Sequence, residues 1–253
     1  ALFISTPKGR NWFWRLWQRG QDDNEPDWQS WAFPTASNPY IAQTEIDAAR
    51  RDLPERVYLQ EYEAQFLDDA GGVFRRVMEA ATLQPQEPVQ GRQYVIGADW
   101  GKSDDFTVFT VLDAGSGDVV YTDRFNQIDY MVQRGRLGAL AERYRPTVIL
   151  AESNAMGEPI IEQLQRDGLP VRGFVTSNAT KAQIIEGLAL AFEQSAIRIP
   201  SDPVLVAELQ AYEMDRTPSG MTHYAAPEGM HDDCVMSLAL AWHAKADGTW
   251  WIF

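Results

Sequence analysis

The sequence runs to 253 residues, 45% hydrophobic and 23% charged, enough for one large domain or two modest ones with a buried core. A formal net charge of −14 argues against tight, nonspecific binding of nucleic acid by a basic surface, yet leaves room for a metal-dependent nuclease, whose site gathers carboxylates. No apolar run reaches the roughly 18 residues a spanning helix needs, and the single cysteine, Cys234, excludes an internal disulfide and fits a reducing compartment.

In chain order, "ALFIS" reads as a short buried strand leading into a loop at Thr6-Pro7-Lys8-Gly9. It is too short for a signal peptide and runs into Lys8, Arg10 and Arg15. The first residue is not Met, so a fragment of a longer protein is expected. "NWFWRLWQRG" reads as a helix stopped by Gly20, and "TEIDAARRDLPERVYLQEYEAQFL" as two helices broken at Pro54. "TLQPQEPVQGR", Thr82 to Arg92, has the composition of a linker, which sets a boundary between 1–88 and 89–253. "QYVIGADW", "FTVFTVLD" and "VVYTDRF" form an antiparallel meander joined by short Gly-containing turns.

Helical spacing follows at Met131, Leu137, Leu140 and Ala141. Then come the strand "TVILAES", a helix from Pro159 to the stop at Gly168, the strand "VRGFVT" and the helix "KAQIIEGLALAFEQS". A short strand "IRIP", the helix "PVLVAELQAYEM", a hairpin around Pro218-Ser219-Gly220 and the final helix "HDDCVMSLALAWHAKA" complete the chain. The order β-β-β-α-β-α-β implies an α/β fold, a mixed sheet flanked by helices.

Three acidic positions stand out by location. Asp99 ends the first strand of the meander, Glu152 ends "VILAE", and Asp232 and Asp233 open the last helix. Carboxylates at strand ends and a helix N-terminus can converge on one rim of a sheet, where hard divalent cations take oxygen ligands. Singly, each has an ordinary role: a turn residue for Asp99, a surface residue for Glu152, a helix cap for Asp232. A cap does not require Asp233 as well, and the combination is what points to metal. Asp105 is a turn acid or a holder of bound water, and Lys181 a solvated charge or a contact to phosphate or carboxylate. His231 is a proton carrier or a packing residue.

"GADWGKSDDFT" also invites a phosphate-loop reading. That pattern needs four residues between its first Gly and Gly-Lys-Ser/Thr, and a helix after it. Only Ala98, Asp99 and Trp100 separate Gly97 from Gly101, and a strand follows, so the reading fails; Gly101-Lys102-Ser103 becomes a hairpin turn. "DWGKS" does fit the phosphate turn of the actin and sugar-kinase superfamily, which remains an alternative enzyme class. Its second phosphate turn and adenosine-binding Gly pair are not found downstream of Glu152.

With these residues assembled, the chain resembles the large terminase subunit of tailed bacteriophages. "GADWGKSDDFT", "VILAESNAMG" and "GMHDDCVMSLALAW" are similar to the three acidic motifs of its RNase H-like nuclease domain. "FISTPKGRNWFWRLW" looks like the end of its ATPase domain, where Ser5, Thr6 and Pro7 match a motif coupling hydrolysis to movement. "SNPYI" and "YLQEYEAQFLDDAGGVF" are similar to its interdomain region.

The resemblance implies an ATPase remnant over 1–88 and a nuclease over 89–253. It also implies two Mg²⁺ or Mn²⁺ ions held by Asp99, Glu152 and one or both of Asp232 and Asp233. Expected activity is endonucleolytic cutting of concatemeric double-stranded viral DNA during packaging, with portal and small terminase subunit as partners, in the cytoplasm of the infected bacterium. The family's P-loop and acidic Walker motifs are not found in this chain, so ATP hydrolysis by it alone is not expected. A catalytically silent docking module, with Trp250 to Phe253 against a partner, is the non-enzymatic alternative; the "DRTPSG" hairpin guides DNA or is a plain surface hairpin.

Overall fold

The computed structural model describes residues 1–7, 12–67, 72–101, 105–154, 157–216, 222–227 and 229–248. The chain divides into two compact units, Ala1–Gly71 with Met214–His223, and Gly72–Glu213 with Tyr224–Phe253.

The first unit is helical, with α1 (Trp12–Arg19), α2 (Gln43–Asp52) and α3 (Glu55–Glu61). The break at Pro54 falls where proline dictates it. Leu53 before it is extended (φ −111°, ψ 145°), because the proline ring forbids the helical conformation to its predecessor, and Pro54 caps α3 with no N–H to leave unpaired. The strand expected at "ALFIS" does not form. Residues 1–7 have no regular structure, and Leu2 and Ile4 are 76% and 86% exposed. A strand needs a neighbour for its N–H and C=O groups, and among the described residues none pairs with this segment.

In the second unit one helical turn, α4 (Val77–Ala80), leads into β1 (Ala81–Leu83). The segment expected as a linker therefore begins inside a strand. The division between units falls after Gly71 instead of at 88/89, because Phe74, Val77 and Ala80 are buried in the second unit. The meander follows as β2 (Tyr94–Asp99), β3 (Thr107–Asp113) and β4 (Val119–Phe125). Next come α5 (Tyr130–Tyr144), β5 (Val148–Glu152), α6 (Gly157–Arg166), β6 (Val171–Phe174) and α7 (Asn178–Glu193). The chain continues through β7 (Ile199–Pro200), α8 (Pro203–Ala211), β8 (Glu213–Arg216), β9 (Thr222–Ala225) and α9 (Asp233–Gly248).

Caps account for several of these boundaries. Asp129 accepts the Val132 N–H at the start of α5, and Ser177 and Thr180 form a reciprocal capping box that starts α7 three residues before the expected position. Gly168, at φ +84°, supplies the left-handed turn after α6. α6 itself begins two residues before Pro159.

The five-stranded sheet has the order β4-β3-β2-β5-β6, antiparallel through the meander and parallel from β2 to β6, as the sequence implied. β7 does not join it; it pairs parallel with β1, Ala81 opposite Ile199. β8 and β9 form the expected hairpin, whose tip at Pro218-Ser219-Gly220 lies outside the described residues, as do Lys102, Ser103 and Trp250 to Phe253.

β2 is central and buried along its whole length, which explains its unbroken apolar run. Its even positions, Tyr94, Ile96 and Ala98, join Phe109, Val111, Leu137, Ile161 and Leu164 in the core under α5 and α6. The opposite face takes α9, and there Gly97 decides the distance. A Cβ at Gly97 would stand 2.0 Å from the Ser237 carbonyl oxygen and 2.4 Å from the Ala241 nitrogen. The helix backbone lies on the strand, tied by Ser237 Oγ donating to the Gly97 carbonyl at 3.0 Å.

Candidate metal centre

β2 and β5 run parallel with Ala98 opposite Ala151, so Asp99 and Glu152 follow side by side at the carboxyl ends of adjacent strands. Strand alternation puts Asp99 on the face of Gly97, toward α9. One turn of α9 before Ser237 stands Asp233, preceded by Asp232. The helix that rests on Gly97 thus carries the acidic pair to the strand end that bears Asp99.

The four carboxyls form one electrostatic group. Asp99 is only 7% exposed. Its affinity for a proton is raised well above the usual carboxylate range by burial first, then by the charges of Glu152 and Asp233, a hydrogen bond with Glu152, and the charge of Asp232. Asp233 is pushed the same way, by burial first, partly offset by the Phe106 N–H, which donates to its Oδ2 at 3.3 Å. Asp232 is the more open of the pair. It accepts Lys181 Nζ at 3.0 Å, and the Tyr212 hydroxyl stands 3.5 Å from the same Oδ2. Burial and Asp232 push the Tyr212 phenol upward, so that Tyr212 is a donor throughout the physiological range.

His231 Nδ1 lies 3.6 Å from Asp233 and 4.0 Å from Asp105, and its ring meets Phe106 edge-on at 5.2 Å. Asp105 therefore borders the group through His231. Ser5, Thr6 and Pro7 belong to the first unit, where they line an apolar pocket with Phe13, Trp17 and Phe66.

Several residues that shape the site were not singled out as site residues by the sequence, although Gly97, Phe106 and Ser237 lie within its acidic motifs. Gly97, Ser237, Phe106, Tyr212 and Glu208 position the carboxyls or their partners, and the one legible clue was a glycine inside a strand, a mark of close backbone approach. Gly101 serves similarly: its Cβ would fall 2.5 Å from the Asp105 carbonyl oxygen, and its N–H donates to Thr107 Oγ1 at 2.9 Å.

The donors suit a hard divalent cation: they are mutually repelling carboxylate oxygens, with Asp99 and Asp233 buried. Among the described residues no three of these side chains close on one point as ready-made ligands. Asp232 rests on Lys181, and Asp233 accepts a backbone N–H from Phe106.

Comparison with known proteins places this architecture. A family model described as the terminase RNaseH-like domain matches residues 96–245. The terminase large subunit of Thermus virus P23-45 is 33% identical over 266 residues, covering 96% of this chain and 55% of the relative; the chain spans about half the length of such curated relatives. The crystal structure of the large terminase nuclease from thermophilic phage G20c is 33% identical, with a TM-score of 0.64 over 68% of this chain and 98% of that one. A structure of the same nuclease with bound magnesium gives 32% identity and a TM-score of 0.64, over 69% and 97% of the two chains; others carry cobalt and zinc. With the family match spanning more than half its length, and the G20c nuclease covered almost end to end, the chain belongs to the large terminase subunit family and carries its RNase H-like domain.

Proposed function

We propose that this chain is the nuclease part of a viral DNA-packaging motor, an endonuclease that cuts concatemeric double-stranded DNA with two divalent cations, Mg²⁺ or Mn²⁺. The observation that carries the reading is the buried Asp99 carboxyl, beside Glu152 at the ends of adjacent parallel strands and facing the charges of Asp233 and Asp232, in a fold whose G20c relative holds magnesium. Asp99, Glu152 and Asp233 would hold the cations, and Asp232 would contribute directly or through a hydrogen bond. When bound, such a pair supplies Lewis-acid polarisation of the phosphodiester and a water of lowered pKa.

The remaining residues prepare the site. Lys181 pairs with Asp232 at the edge of the carboxyl group, from where its ammonium would face a phosphate oxygen of bound DNA. His231, between Asp233 and Asp105, is the group within reach for proton transfer. The products carry 5′-phosphate and 3′-hydroxyl ends. Sequence preference is low, since selectivity needs contacts to base edges and no base-reading helix is recognisable in the sequence. The first unit, with Ser5, Thr6 and Pro7, is read as the end of an ATPase domain, and portal and small terminase subunit as partners in the infected cell. Among the described residues no helix is long and apolar enough to cross a membrane.

Supercoiled plasmid incubated with the chain in Mn²⁺ or Mg²⁺ is expected to be nicked and linearised, and to stay intact in EDTA or with Asp99→Asn. Equal cutting by wild type and Asp99→Asn refutes the site. Intact plasmid, together with a folded, cation-binding wild type, supports instead a nuclease silent outside the motor.

A further inference from the structure

The first N–H groups of a helix need acceptors, and an Asp at the N-cap ordinarily turns its carboxylate back to supply one. Asp232 holds that position in α9, its carbonyl accepting the Met236 N–H at 2.9 Å. Its carboxylate faces Lys181 and Tyr212 instead. The helix donor goes to another element: the Cys234 N–H donates to Glu208 Oε2, on α8, at 2.9 Å. Glu208 is 5% exposed, a costly place for a carboxylate unless it is needed there.

Its other oxygen has no hydrogen-bond partner and lies 3.8 Å from Arg124 Nη2. The Arg124 guanidinium rests 3.3 Å above the centre of the Phe106 ring, and Phe106 is the residue whose N–H holds Asp233. Glu208 thus touches both supports of the acidic pair, the first turn of α9 and, through Arg124, the donor on Asp233.

We propose that Glu208 is a positioning residue: it caps α9 from outside, which releases Asp232 from capping and fixes Asp233, so that both carboxylates can face a cation. This rests on the nuclease reading above. A Glu208 that merely filled the core would affect folding alone, leaving the Asp232 contacts and the cation affinity of the folded protein unchanged.

Two measurements on Glu208→Leu, Glu208→Asp and Glu208→Gln decide it. The first is calorimetric titration with Mn²⁺. Loss of an outer partner of a metal ligand costs about 10- to 100-fold in affinity, and that loss is expected for Leu, with about tenfold for Asp, whose shorter stem withdraws the carboxylate from Cys234. Gln keeps an acceptor for the Cys234 N–H and is expected to restore affinity to within about threefold of wild type. If the Leu variant does not fold, the Asp variant decides. Wild-type affinity in the folded Leu or Asp variant, or a Gln variant as weak as Leu, overturns the proposal.

The second measurement needs no metal. A crystal structure of the cation-free Leu or Asp variant is expected to show the Asp232 carboxylate turned onto its own helix and Lys181 released. Asp232 still on Lys181 and Tyr212 overturns the proposal by itself. A wild type that binds no Mn²⁺ would refute the nuclease reading, while this structural outcome would still decide whether Glu208 takes over the cap.

Discussion

Gly97→Ala tests the link between packing and chemistry most directly. The added Cβ would stand 2.0 Å from the Ser237 carbonyl oxygen and 2.4 Å from the Ala241 nitrogen, both helix backbone, so no rotamer relieves the clash. An ordinary nonbonded separation is about 1.5 Å longer, and α9 must move by that order. Overpacking of this kind costs about 1–3 kcal/mol. The Ser237 hydroxyl also loses its 3.0 Å bond to Gly97 and strains its 2.9 Å contact with Thr110, adding roughly 1 kcal/mol. For a unit of this size the total corresponds to a fall in Tm of roughly 4–16 °C. The same shift carries Asp233 away from Asp99, and a misplacement of about 1 Å at a reacting centre costs on the order of 100-fold in rate. Circular dichroism melts in EDTA and plasmid cleavage in Mn²⁺ read the two effects. Gly135→Ala is the control: it lies on exposed α5 surface with nothing within 4 Å of an added Cβ, and should stabilise by roughly 0.5–1 kcal/mol. A Gly97→Ala protein melting within about 1 °C of wild type and cutting normally refutes the reasoning.

Three other outcomes are expected. Free Mn²⁺ at 100 times its Kd should add about 2.7 kcal/mol to folding, raising Tm by roughly 5–10 °C; Asp99→Asn should show no such rise, and an equal rise would place the cation elsewhere. In EDTA, the raised proton affinity of buried Asp99 means that the folded chain holds a proton which the unfolded chain has released. Its contribution to stability is therefore fully present below the unfolded pKa of about 3.9 and is lost as pH rises through the folded value. The difference in Tm between Asp99→Asn and wild type should grow with pH and then level off, and a pH-independent difference contradicts this. Finally, Lys181 competes with a cation for Asp232, and both side chains are partly exposed. Lys181→Met is expected to tighten Mn²⁺ binding by about two- to fivefold; weaker binding would show that Lys181 holds Asp232 in place for the metal.

The central sheet was legible because each of its strands carries its own signal: apolar runs at β2, β3 and β5, short glycine turns within the meander, and helical spacing between β4 and β5. β7 was readable as a strand but not as a partner of β1, since pairing between segments more than 100 residues apart leaves no local trace. "ALFIS" failed for the converse reason: apolar content marks a wish for burial, and a strand forms only beside another strand. At the site, the acidic residues could be chosen by their places at element ends. The division of labour between Asp232 and Asp233 could not, because it is set by Lys181, Tyr212, Phe106 and Glu208, which reach them from three different segments: α7, the β2–β3 connection, and α8 with its C-cap.

The glycines flanking Asp99 have one rationale between them. Gly97 admits the backbone of α9, which carries Asp233, and Gly101 admits the backbone at Asp105 to Thr107, which carries the Phe106 N–H that holds Asp233. Each gives up a side chain so that another segment can approach the end of β2. A glycine pair of this kind imitates a phosphate loop in one dimension. In three it is the means by which a carboxylate 134 positions further along the chain is brought to Asp99 and oriented there, and a substitution at either glycine should disturb the acidic group without touching a single carboxyl.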